Sequence, residues 1–129
     1  MRVLLDTHVW LWMQAEPERL SSDARDTITD LANELLLSAA SSWEIAIKWS
    51  LGKLDLPEPP DRYVPDRLTS SGVTALAILH GHALAVARLP RHHRDPFDRM
   101  LVAQARAEGL PLLTADPVFD RYPVEVIPA

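Results

Sequence analysis

A chain of 129 residues, 47% apolar and 24% charged, suits one folded domain and is too apolar for a disordered one. The absence of cysteine excludes disulfides, iron–sulfur clusters and thiolate zinc sites, and fits a reducing compartment. Thirteen basic against eighteen acidic residues leave a formal charge of −5, so any nucleic-acid partner must be met by local rather than overall charge.

The chain opens with an apolar strand, residues 2–5, ending at Asp6, and an apolar segment follows at residues 9–13. That opening is too short for a signal peptide and no stretch is long enough to span a membrane, so a cytoplasmic protein is expected. "SSDARDTITDLANE" reads as a helix capped by Ser21 or Ser22, "LLLSA" (residues 35–39) as a second strand, and "SSWEIAIKWSLGKL" as a helix stopped by Gly52. A proline-rich connection at residues 55–61 precedes a helix reaching Ser70. "GVTALAI" then reads as a strand, "HGHALAVARL" as a helix and "RHHRDP" as a basic loop. "PFDRMLVAQARAEG" places Pro96 at a first helical position and Gly109 at the end. "LPLLT" and "VEVI" are the last strands. Strands alternating with helices predict a single α/β domain over residues 1–129: a mostly parallel sheet of about five short strands with helices on both faces. Ligands of such sheets bind beyond the carboxyl ends of the strands.

Four acids fall on that rim, and each also has a plain structural reading. Asp6 and Asp116 suit helix caps. Glu44 closes a capping box begun at Ser41 and pairs with Lys48 at i,i+4. Asp98 suits the positive end of a helix, although Asp95 is the better cap, and its neighbours Leu101, Val102 and Ala105 place it on the buried stripe. Convergence of the four would be costly: two carboxylates about 5 Å apart repel by roughly 3 kcal/mol at an effective dielectric near 20. Protonation or a hard divalent cation such as Mg²⁺ or Mn²⁺ relieves it.

"LLDTHVWLW", "SAASSWEIAIKWSLGKL", "RDPFDRMLVAQA" and "PLLTADPVFDRY", in this order, resemble PIN-domain ribonucleases, specifically the VapC toxins of bacterial type II toxin–antitoxin pairs. The resemblance implies a small PIN domain in which Asp6, Glu44, Asp98 and Asp116 are catalytic and bind Mg²⁺ or Mn²⁺. It further implies metal-dependent cleavage of RNA, restraint by a VapB-like antitoxin, and a homodimer.

Around the acids, Thr7 and Thr114 are expected either to hydrogen-bond the ligand carboxylates or to serve strand-end turns. Arg88, Arg91, Arg94 and Arg99 are candidates for RNA phosphate contacts or a solvated loop, with His92 and His93 adding charge at lower pH. His80 and His82 lack a third nitrogen or sulfur ligand and are read as a helix start; His8 is assigned to fixing the turn after Asp6. Of the four tryptophans, Trp10 and Trp12 are expected at a partner surface and Trp43 and Trp49 equally in the core, with base stacking by one of them as a further option. Two other classes compete. An aspartyl phosphotransferase is disfavoured because "DTH" lacks a second acid two residues on and no lysine follows a late strand. A non-catalytic RNA- or protein-binding scaffold would not need all four acids.

Overall fold

The structure, a computed structural model, describes residues 1–129. Its strands are β1 (Arg2–Leu5), β2 (Glu34–Ser38), β3 (Thr74–Leu76), β4 (Leu112–Thr114) and β5 (Val126–Pro128). Its helices are α1 (Thr7–Ala15), α2 (Ser22–Thr29), α3 (Ala39–Ser50), α4 (Pro60–Ser71), α5 (His80–Ala85) and α6 (Pro96–Glu108). Short 3₁₀ turns cover Pro17–Arg19, Val86–Arg88 and Pro117–Arg121. All strand pairs are parallel, in the order β3-β2-β1-β4-β5. The chain leaves β1 towards β2 and β3, then returns to β4 on its other side. The switch point, where an open parallel sheet forms its crevice, therefore lies between the ends of β1 and β4.

Side-chain alternation along the strands feeds two cores. Val3, Leu5, Leu35, Leu37 and Leu113 face α1 to α4, meeting Val9, Trp10, Ala24, Ile45 and Tyr63. Leu4, Leu36 and Leu112 face α6, meeting Leu101, Val102, Ala105 and Phe119. Two buried polar residues lock α6 across the rim: the Ser38 hydroxyl at the end of β2 donates to Gln104 Oε1, and Gln104 Nε2 donates to Ala77 O. No helix is long and apolar enough to cross a membrane.

Several sequence expectations shift. The first long helix ends at Thr29 rather than running to residue 34, because the Asp30 side chain turns back to accept from the Ala32 N–H. Helix α3 begins at Ala39, two residues earlier than expected. Ser38 is both the last strand residue and the cap, accepting from the Ala40 N–H, so Ser41 and Glu44 form no capping box. Gly52 and Gly109 do end their helices, at φ +70° and +65°.

The tryptophans exchange roles. Trp10, expected at a partner surface, is 0% exposed and sits edge-on to Tyr63 in the core. The reason is that α1 follows β1 without a loop, which turns Val9 and Trp10 under the sheet. Trp12 is half-buried, with the Arg19 guanidinium 4.6 Å from its ring. Trp43 and Trp49, offered to the core, are exposed.

The Trp10 indole N–H is buried without a protein partner. Trp10→Ala is expected to lower unfolding free energy in urea by about 3–5 kcal/mol. Trp10→Phe is expected to lose only about 1 kcal/mol, since deleting an unpaired donor offsets part of the lost packing. Equal losses in the two variants would contradict that assignment.

Candidate active site

Asp6 occupies the cap position of α1 with extended backbone, yet its side chain accepts no capping hydrogen bond. Its carboxylate is 4% exposed, and its side-chain partner is a neutral hydroxyl: Thr114 Oγ1 donates to Oδ2 at 2.8 Å. Thr114 ends β4 across the switch point and also accepts from the Asp116 N–H at 3.0 Å, so one hydroxyl ties both strand ends together. Thr7, the other expected partner of an acid, donates instead to Ser41 Oγ at 2.8 Å and pins α1 to α3.

Glu44 lies one turn into α3 and is also buried, with Lys48 Nζ held to Oε2 at 2.5 Å. Burial alone would lower the Lys48 ammonium. The hydrogen bond and charge of Glu44, with Asp95 and Asp98 behind it, hold it above its ordinary value. On α6, Asp95 accepts from the N–H groups of Phe97 and Asp98 and does the capping, which leaves the Asp98 carboxylate for other work. His93 Nε2 stands 3.2 Å from Asp98 Oδ2, while its Nδ1 is 2.6 Å from the Tyr122 hydroxyl. Asp116 is exposed and does cap, accepting from the Val118 N–H.

Electrostatics report the convergence. Burial, then the charges of Asp95, Asp6, Glu44 and Asp116, push the Asp98 carboxyl up to about 8. Burial also raises Asp6, with Glu44 adding to it, against the opposing Thr114 hydrogen bond and the charge of His8. Asp98 thus feels the other three acids, and Asp6 feels Glu44. As the side chains stand, no three His, Asp or Glu residues form a group that holds a metal ion, because each carboxylate is turned to a protein partner. The donor set nevertheless fits a hard cation. It is all oxygen, and Asp6 is buried without a cationic side chain bonded to it.

The arginines divide. Arg91, Arg94 and Arg99 line a cleft of about 520 Å³ with His92 and His93, and His93 joins this cleft to Asp98. Arg99 spends its donors on Pro90 O, Val86 O and the Tyr122 hydroxyl, holding the loop's shape. Arg88 lies apart, in a separate depression with Arg106. Sequence reasoning missed His93 as a neighbour of Asp98; it sits in a loop, where no periodicity marks it. Lys48 was visible only as a helical pair. His82 Nδ1 accepts from the Leu79 N–H and Nε2 pairs with Glu108, a helix-start role as expected.

The site thus stands on a five-stranded parallel sheet, with the buried Asp6 carboxylate at the switch point. The sequence matches the PIN domain across residues 3–125, and the chain belongs to the PIN-domain family. Ribonuclease VapC22 of Mycobacterium tuberculosis is 34% identical over 117 residues, 88% of this chain and 86% of that protein. Ribonuclease VapC16 of the same organism is 50% identical over 68 residues, and the match spans about half of each chain, 50% and 48%. Among solved structures, VapBC2 from Rickettsia felis bound to a promoter DNA fragment superposes with a TM-score of 0.75 at 15% identity, covering 99% of this chain and 98% of that one. DNA-bound VapBC from Salmonella typhimurium gives 0.71 at 16%, with the same coverage. At those identities the likeness is one of fold.

A carboxyl raised on folding keeps its proton in the folded state after the unfolded chain has lost it. With Asp98 near 8 against an ordinary value of 3.8, rising pH favours unfolding from about pH 4 to about pH 8. In EDTA, the wild-type melting temperature is expected to fall across that range. Asp98→Asn is expected to flatten the fall and to melt higher than wild type near pH 8. A wild-type profile without that fall would show that burial and the neighbouring charges do not raise the Asp98 carboxyl.

Proposed function

We propose that this chain, as one PIN domain over residues 1–129, is a metal-dependent endoribonuclease and the toxin of a type II toxin–antitoxin pair. The observation that carries the reading is the buried Asp6 carboxylate at the sheet's switch point, within reach of the charge of Glu44 and with the Thr114 hydroxyl as its side-chain partner. The VapC ribonucleases of similar sequence support the choice of RNA.

In this reading Asp6 and Asp98 are the main ligands of Mg²⁺ or Mn²⁺, and Glu44 and Asp116 complete the set or hold water around it. Such an ion lowers the pKa of water to supply a nucleophile near neutral pH and offsets charge building on the phosphate. The chain's own residues do the rest. Thr114 fixes the Asp6 carboxylate in orientation. With Glu44 and Asp98 as ligands, Lys48 and His93, which now bond those two carboxylates, would stand as an ammonium and an imidazole beside the phosphate. Arg91 and Arg94 hold neighbouring phosphates in the basic cleft, so an acidic protein gathers RNA through one local field.

The antitoxin contact is assigned to a groove of about 270 Å³ lined by His8, Leu11, Trp12, Leu54, Leu56 and Tyr63, among others. It shares His8, Leu11 and Leu54 with a depression that reaches Thr7, Glu44 and Lys48. A VapB-like segment lying there runs from an apolar grip at Trp12 to the acids it must block. A homodimer and a cytoplasmic location belong to the same proposal.

Labelled RNA incubated with the protein should be cut in Mn²⁺ or Mg²⁺ and left intact in EDTA. Asp6→Asn is expected to remain folded and lose at least about 100-fold in rate, the scale on which groups that stabilise developing charge act. Arg91→Ala and Arg94→Ala should each weaken RNA binding and reduce the slope of log affinity against log salt by about 0.7, the single-strand value per phosphate contact. Equal cutting in EDTA, or full activity in Asp6→Asn, would contradict the proposal.

A further inference from the structure

The helices that carry two of the acids also carry an aromatic pair, one residue away in each case. Trp43 precedes Glu44 on α3 and Phe97 precedes Asp98 on α6. Their rings meet edge to face, with centroids 5.2 Å apart and planes at 82°. Neither residue belongs to either hydrophobic core. Trp43 is 59% exposed and Phe97 is half-buried. An isolated exposed apolar side chain needs no explanation. Here, though, a tryptophan one residue from Glu44 rests against a second ring one residue from Asp98, outside the packing of either core.

We propose that Trp43, braced by Phe97, is a stacking platform for the nucleobase that flanks the phosphate held at the acidic cluster. This deepens the ribonuclease reading and rests on it. A strand whose reacting phosphate lies at Asp6 and Asp98 passes between two recognition devices. His93 links Asp98 to the arginine cleft, which takes backbone charge. Phe97 links Asp98 to Trp43, which takes a base. Phosphate contacts set register without reading sequence, whereas a stacked base is held by its π face. Trp43 therefore supplies base affinity next to the cut, graded by ring size rather than by hydrogen-bond pattern.

An interface with a protein would require the apolar surface to continue. The other large exposed apolar residues near α3 are Trp49 and Leu51, at and just beyond the far end of the helix. Trp43 instead adjoins Glu44 in the chain, whose carboxylate is paired with Lys48, and its ring partner Phe97 adjoins Asp98. That setting suits a polyanion carrying aromatic bases, with a cation between it and the acids.

The test uses the full chain and a single-stranded RNA oligonucleotide spanning a mapped cleavage site. Two companions carry an abasic ribose immediately 5′ or 3′ of the cut. Trp43→Ala is expected to raise KM for the intact oligonucleotide about 5- to 150-fold, the range for loss of one stacked base, with kcat changed far less. Against one of the two abasic oligonucleotides the same substitution should cause no further loss, and Trp43→Phe should restore most of the affinity. In EDTA, where nothing is cut, the intact oligonucleotide should quench a component of tryptophan fluorescence that is missing from Trp43→Phe.

Several results would overturn the platform: an unchanged KM in Trp43→Ala, equal losses on intact and both abasic RNAs, or loss of a dimer by light scattering without loss of RNA binding. Wild-type protein that shows the Trp43 quenching but never cuts would support the platform while overturning the ribonuclease reading.

Discussion

The structure depends on one costly placement: a carboxylate at the end of the central strand, buried and answered by a threonine hydroxyl instead of a cation. Burial of Asp6 follows from the sheet order, since β1 is flanked on both sides and α1 begins without a loop. The same topology delivers Thr114 and Asp116 from β4, Glu44 from the helix after β2, and Asp98 from the helix before β4. Burial first, and then repulsion from neighbouring acids, is the cost of bringing them together, and it is visible in the raised Asp98 and Asp6 carboxyls.

The protein tolerates that repulsion by giving each acid a temporary partner. Lys48 holds Glu44, His93 stands beside Asp98, Thr114 bonds Asp6, and Asp116 caps its own turn. Rigid support comes from elsewhere: Asp95 caps α6, and Ser38 with Gln104 fixes α6 over the end of β2. The site therefore combines a firm frame with acids that bond side chains or their own turn rather than one another.

Much of this was legible in the sequence. Alternating strands and helices gave the parallel sheet, and the positions of the acids after strands gave their shared rim. Asp95 could be preferred over Asp98 as a cap because it directly precedes Pro96. What the sequence withheld was orientation. Trp10 and Trp12 lie in one apolar run, and only the tight passage from β1 to α1 decides that Trp10 turns inward. The capping box at Ser41 satisfied a correct local rule but lost to Ser38, because β2 hands over to α3 without a loop. Thr7 and Thr114 were equivalent by proximity in sequence; tertiary placement gives Thr114 to Asp6 and Thr7 to Ser41. His93 reaches Asp98 through a loop whose shape Arg99 and Tyr122 determine, and nothing local encodes that.

The net charge of −5 ceases to be a paradox once charge is located. Acids act on Asp98 at the rim of the sheet, and arginines line the adjoining cleft. The central claim is that these acids form one cation site, and anomalous scattering from crystals grown with Mn²⁺ tests it most directly. The account requires the strongest manganese peak to lie between Asp6 and Asp98, with Glu44 turned away from Lys48. A peak elsewhere, or acids still paired with Lys48 and His93 at saturating Mn²⁺, would contradict it.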